Sequence, residues 1–204
     1  MLQDTVTGLQ KFAEQFPAQY FYYGHTLKNN FISLLPPIFR HNICVFWLYG
    51  PTGTNKSRIS YKLLNNNTFI KESKTKWWHN YLGEKHAIID DFTPKSIDVQ
   101  YLLRWFDRYP CSVESKGSTC YLQTQFIIVT SNYHPDTVYA ECPDESKSAL
   151  LRRLKLYKFP DEEHLVSFHF NLYHLCCPQL HDENTQAGRL GEETLPESRV
   201  TQKQ

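Results

Sequence analysis

Residues 43–49, Ile43-Cys44-Val45-Phe46-Trp47-Leu48-Tyr49, form a short apolar run that leads directly into Gly50-Pro51-Thr52-Gly53-Thr54-Asn55-Lys56-Ser57. An apolar run without alternation is how a strand buried on both faces of a parallel sheet reads. The octet after it keeps the spacing G-x-x-x-x-G-K-[ST] of a phosphate-binding loop, with one departure at Asn55. In such a loop, backbone N–H groups and the N-terminus of the next helix converge on an anion. A helix is expected from about Lys56 to Leu64. A coincidental turn with Ser57 as a cap is the alternative at this point.

The chemistry of the loop assigns each residue a place. Gly50, Pro51, Thr52, Gly53, Thr54 and Asn55 form the phosphate cradle. Lys56 reaches the β- and γ-phosphates of ATP, and Ser57 ligates Mg²⁺. Asn55 stands where glycine is expected, at a position that can require a positive φ. Asparagine is the non-glycine residue best able to adopt it. Its side chain is expected to weaken nucleotide binding without abolishing it.

A second buried strand, Ala87-Ile88-Ile89-Asp90-Asp91, ends in two carboxylates. Ligands of open α/β sheets bind at such strand ends. Asp90 is expected to hold Mg²⁺ through water and Asp91 to act as general base on the attacking water. A pair capping a turn is the plainer alternative. A helix is expected over about Ser96–Tyr109, with Val99, Leu102, Leu103 and Phe106 on one face. A hairpin follows, 112–115 and 119–122 around Lys116-Gly117-Ser118. In a ring, Lys116 at its tip points into the channel and tracks phosphates, although a turn lysine taken alone is usually just solvated. A third buried strand, Phe126-Ile127-Ile128-Val129-Thr130, ends at Ser131-Asn132. The Asn132 carboxamide can bond both the γ-phosphate and the attacking water; beginning a turn before Pro135 is its other reading. A short helix near Ser146–Leu154 carries Arg152 and Arg153. One of them, with a slight preference for Arg153, is expected to reach a neighbour's γ-phosphate. Surface salt bridging is their alternative role. A last strand is expected at Lys155–Phe159.

The chain has 204 residues, enough for one well-buried domain and a flexible end, with an aromatic content of 15% and a net charge of +1. Nucleic-acid binding therefore has to come from a local basic surface. No apolar run is long enough to cross a bilayer, and the polar N-terminus is no signal peptide. Six cysteines without CxxC spacing suggest a reducing compartment, cytosol or nucleus, with Cys44 a buried thiol. Lys74, Lys76, Trp77 and Trp78 mix basic and aromatic residues as stacking platforms do, but core packing is the first reading of the Trp pair. His164, His169 and His174 recur every five residues, which rotates them off one helix face; no shared zinc is expected. From about Pro178 the composition is too polar to order itself.

The order of motifs resembles the superfamily 3 helicase domain of circovirus-type replication initiator proteins over about residues 17–160. The strings that carry the resemblance are Trp47–Gly53, Lys76-Trp77-Trp78, Gly83-Glu84, Ile88–Phe92, Asp107-Arg108-Tyr109-Pro110, Val113–Gly117, Ile128–Asn132 and Leu150–Arg153. It implies an α/β P-loop nucleoside triphosphatase fold with an AAA+-like core around a central parallel sheet. It further implies a homo-hexameric ring and ATP-driven movement on single-stranded DNA or RNA, with no membrane partner. On this reading residues 1–38 are a helical oligomerisation segment and 39–160 the motor. Residues 161–177 form an extension and 178–204 a disordered tail. Glycine is usual in the family where Asn55 stands, and Gly-Gly is common where Gly117-Ser118 stands. The family's nicking endonuclease carries a His-x-His or His-x-Gln motif that the residues before the loop lack, so no nicking is expected. The alternative is a module impaired in hydrolysis that only assembles or binds nucleic acid.

Overall fold

The computed structural model describes residues 2–63 and 68–160. Two helices come first, α1 (Leu2–Gln15) and α2 (Pro17–Ser33). Then follow β1 (Cys44–Tyr49), α3 (Lys56–Leu63), β2 (Thr68–Lys71), β3 (His86–Phe92) and α4 (Val99–Trp105). The hairpin β4 (Ser112–Ser115) and β5 (Ser118–Tyr121) precedes β6 (Phe126–Ser131). The last elements are α5 (Pro135–Val138), α6 (Asp144–Leu151) and β7 (Lys155–Lys158). The expected extension and tail, and His164, His169 and His174, lie outside the described residues.

Five strands form one wholly parallel sheet in the order β2-β3-β6-β1-β7. The fold is α/β with a central parallel sheet and a helical segment before it, as expected of a P-loop nucleoside triphosphatase. Burial follows position in the sheet. Every residue of the central β6 is buried, as are Val45 to Leu48 of β1 and Ala87 to Ile89 of β3. Those strands carry the unbroken apolar runs. At the β2 edge burial alternates instead, Ile70 lying open between Phe69 and Lys71. That alternation over four residues explains why β2 is not visible as an apolar run.

Register fixes what meets at the carboxyl edge. Tyr49 pairs with Ser131, and Ser131 with Phe92. The residues around those three, Gly50, Asp91 and Asn132, therefore leave the sheet side by side. Between Ile89 and Phe92 the β3 register shifts: three steps on β3 match two on β6. Asp90 and Asp91 thus both lie opposite Thr130, a bulge of the kind that re-aims side chains beside functional sites.

Several boundaries differ from the pattern reading, each for a local reason. Helix α4 starts at Val99 because the Asp98 carboxylate accepts from Gln100 N and caps it. The hairpin turn is Lys116-Gly117, one residue tighter than expected, with Gly117 at φ +85°. Pro17 at N1 divides the N-terminal segment into two helices. Along that segment Ile32 and Leu35 are buried while Phe16 and Leu34 stay open. Cys44, expected to be a reduced buried thiol, is half-buried and disulfide-bonded. Arg40, fully buried, donates to the carbonyls of Trp105 and Thr124 at 2.8 and 3.1 Å and to that of Asp107. It thereby ties the segment before β1 to the carbonyl end of α4, where a cation is favoured.

Candidate functional site: a phosphate cradle at three strand ends

The loop after β1 has the backbone its sequence calls for. Gly50 takes φ +142°, and a Cβ there would lie 1.9 Å from the Phe159 carbonyl oxygen. Only glycine lets β7 close against the loop, where Phe159 N donates to Tyr49 O at 2.7 Å. Asn55 does adopt a left-handed φ of +63°, and the Thr54 hydroxyl donates to Pro51 O at 2.9 Å inside the loop.

Lys56 is buried at 7% exposure, and its ammonium is gathered by acceptors on every side. It donates to Gly50 O at 2.9 Å, Pro51 O at 2.8 Å and Asn132 Oδ1 at 3.3 Å. Burial lowers its pKa, against the pull of the Asp91 and Asp90 carboxylates. The Ser57 hydroxyl donates to Asp90 Oδ1 at 2.7 Å. Strands β1, β3 and β6 thus contribute Lys56, Asp90 and Asn132 to one linked set.

Asp91 differs from Asp90. It sits at φ +50°, is exposed, and its carboxylate pairs with nothing among the described residues. With Lys56, Ser57, Asn132 and the loop it lines one cavity of about 490 Å³. Small-molecule sites run to roughly 300–1,000 Å³. A left-handed non-glycine residue costs on the order of 1 kcal/mol and persists where surroundings over-determine it. Here the Asp91 N–H donates to Thr130 Oγ1 at 3.0 Å.

Thr130 is a residue that strand patterning does not reveal. Its buried hydroxyl donates to Asp90 Oδ1 while accepting from Asp91 N, so one oxygen orients both acids. Only the bulge, which sets two residues against one, could have signalled it. Thr130→Val keeps the shape and removes that oxygen. A hydrogen bond to a charged group is worth about 1.5–3 kcal/mol. Turnover of a reaction at this site is expected to fall at least roughly ten-fold, with Thr130→Ser retaining most of it. Equal loss in both variants, measured as kcat on folded protein, would show that the methyl and not the hydroxyl matters.

Among the described residues no cluster of three or more His, Cys, Asp or Glu side chains could hold a metal. The Ser57–Asp90 pair still suits Mg²⁺, which takes a hydroxyl and one carboxylate, keeps several waters and completes its shell with phosphates.

Arg152 and Arg153 do not line this cavity in their own chain. Arg153 donates to Asp107 Oδ2 at 2.6 Å and to Ala149 O at 2.6 Å. Burial works against ionisation of Asp107, but Arg153 prevails and the pKa is lowered. Arg152 is exposed and pairs with nothing among the described residues. Lys116 stands exposed at the hairpin tip, away from the cavity.

A family profile described as RNA helicase matches residues 46–133, from the middle of β1 to just past Asn132. The replication-associated protein of canary circovirus is 34% identical over 73% of this chain, and that of beak and feather disease virus 34% over 71%. The porcine circovirus 1 protein is 35% identical over 55% of the chain. The chain carries the superfamily 3 helicase domain of circovirus-type replication proteins. It spans 50%, 48% and 36% of those three relatives' lengths, respectively. The cavity just described occupies the profile's stretch, and all of its strand-end residues fall inside it. No described helix is long and apolar enough to cross a membrane.

Proposed function

We propose that this helicase domain is an ATP hydrolase that moves along single-stranded nucleic acid as a ring of identical subunits, most simply a hexamer. The observation that carries the reading is the single cavity shared by Lys56, Asp91 and Asn132, with Ser57 and Asp90 bonded beside it.

Loop N–H groups and Lys56 bind the β- and γ-phosphates, the ammonium exchanging carbonyl acceptors for phosphate oxygens. Mg²⁺, when bound at Ser57 and Asp90, neutralises charge on those phosphates. Asp91, exposed to the cavity and free of partners there, takes a proton from water as that water attacks the γ-phosphorus. The bond from phosphorus to the bridging oxygen breaks, and ADP carries the electron pair away. Asn132 contacts Lys56 before nucleotide enters and is within reach of the γ-phosphate afterwards, so it reports which state the site is in. We assign the arginine supplied by a neighbouring subunit to Arg152, because Arg153 is committed to Asp107 in its own chain. The α1–α2 segment carries exposed Phe21 and Tyr22 on α2, an apolar surface suited to contact between subunits.

Phosphate release from Mg·ATP, measured alone and with single-stranded DNA or RNA, tests the reading and identifies the track. Stimulation by one polymer supports it. Absence of hydrolysis with both leaves a module that assembles or binds without turnover. Asn55 is what favours that second reading, since its side chain lines the cavity. Replacing Asn55 with glycine keeps the left-handed turn and removes a side chain from the phosphate wall. Nucleotide affinity, read by titration with a fluorescent analogue, is expected to rise roughly five-fold. Unchanged affinity rules out crowding by Asn55.

A further inference from the structure

Beside the hairpin tip lies a groove of about 430 Å³ that the motor chemistry does not use, bordered by Ile70, Glu72, Trp77, His79 and Lys116. Its walls come from two segments locked together. Trp78 is fully buried, stacked on Phe69 at 5.3 Å and edge-on to Trp105 at 5.3 Å. Its backbone N–H donates to Glu114 O at 2.8 Å, on the hairpin. Lys76 forms an ion pair with Glu114 at 2.9 Å, and His79 Nδ1 lies 3.5 Å from Ser115 Oγ. On the other side, buried Lys71 donates to the carbonyls of Glu72 and Thr75 and holds the loop between β2 and Trp78 in shape. With Trp78 spent on the core, Trp77 is left half-buried at the groove. The Lys76 ammonium lies 4.7 Å from the centroid of the Trp77 ring; Trp77 borders the groove and Lys76 does not. The Trp pair read at first as core packing therefore divides, one ring inward and one outward.

We propose that this groove takes one base of a single-stranded nucleic acid, stacked on Trp77, with the adjoining phosphate held by Lys116. The proposal rests on the reading that the domain binds single strands, and adds where a base goes. An aromatic ring beside an exposed cation is the pairing that holds a strand without regard to sequence, because every base has a π-face. Lys76 over the ring strengthens the platform through its charge. Glu72 is the one acid among the described residues that border the groove, and it repels a phosphate from the interior. The backbone is thereby kept on the Lys116 side and the neutral base is admitted. The exposed Ile70 supplies an apolar wall. Lys116 stands on a two-residue turn joined to the Trp77 loop by Glu114 and Ser115, so platform and phosphate contact move as one body.

The protein's own fluorescence tests this. Its four tryptophans are Trp47, Trp77, Trp78 and Trp105, and all but Trp77 are at most 2% exposed. Tryptophan emission of the full chain is followed while oligo(dT), oligo(U) or an abasic oligonucleotide of equal length is added, with binding read in parallel by anisotropy of an end label. Emission is expected to fall and saturate together with anisotropy for the base-bearing strands. The abasic strand binds more weakly and leaves emission unchanged. Trp77→Phe abolishes the quench but keeps most of the affinity, whereas Trp77→Leu weakens binding roughly ten-fold. Binding without quenching, a full quench in Trp77→Phe, or abasic binding as tight as oligo(dT) overturns the groove proposal alone. Failure of every strand to bind overturns the single-strand reading and the groove with it. Emission that changes with protein concentration alone marks the groove as a contact between copies, and also overturns the proposal.

Discussion

Lys56→Ala is expected to lower ATP turnover on the order of 10²–10³-fold while leaving the fold and subunit assembly intact. That range is what removal of one pre-organised donor costs where negative charge develops. The structure makes the side chain's role specific. Lys56 is buried, and it binds loop carbonyls and Asn132 rather than an acid, so no ion pair among the described residues neutralises it. Its charge is therefore available to phosphate. Folding depends on it little, because Lys56 itself lines the cavity and the space its side chain leaves is open to water. Lys56→Arg should not rescue activity, since the planar guanidinium cannot occupy a pocket shaped for a compact ammonium. Initial rates of phosphate release at saturating Mg·ATP give the turnover, and thermal unfolding gives the fold. Added nucleotide raises the melting temperature of the parent chain by mass action and should not raise that of Lys56→Ala. Full turnover in Lys56→Ala would mean that the cavity is not where hydrolysis occurs.

What the amino-acid order disclosed and what it hid follow from one distinction. Central strands of a parallel sheet are apolar throughout, so β1, β3 and β6 stand out, and with them the residues at their ends. The left-handed turn at Asn55 was legible because the spacing of the loop demands it. Contacts made across the sheet were not legible. Thr130 touches both aspartates only because a bulge puts them opposite it, and nothing local to Thr130 encodes that. Buried Arg40 and Lys71 look like surface cations in a linear reading. Their partners are backbone carbonyls, up to 84 residues away for Arg40, which residue patterning cannot display. The Trp77-Trp78 pair could not be divided either, since inward and outward rings differ only in which one reaches Phe69 and Trp105.

The arginine pair yields the other large effect. Arg152→Ala is expected to lower turnover on the order of 10³-fold, the lower end of what an arginine finger supplies. Arg153→Ala acts differently, by releasing Asp107 and loosening the join between α4 and α6, and Asp107→Asn should reproduce it. Mixing separates a finger from a residue that serves its own site. An Arg152→Ala subunit keeps an intact Lys56 cradle, and a Lys56→Ala subunit keeps an intact Arg152. Each variant alone is nearly inactive. Combined in equal amounts and allowed to exchange, they form a complete site wherever the first kind receives its arginine from the second. In a ring of randomly placed subunits with one heterologous interface, that is about a quarter of all sites. Activity near that fraction of the parent is the expected result, and it should fall on dilution as the ring dissociates. Mixtures no more active than their components would mean that Arg152 serves its own chain or none. Recovery with Arg153→Ala but not with Arg152→Ala would transfer the role to Arg153, and would require Asp107 to release it when neighbouring subunits meet.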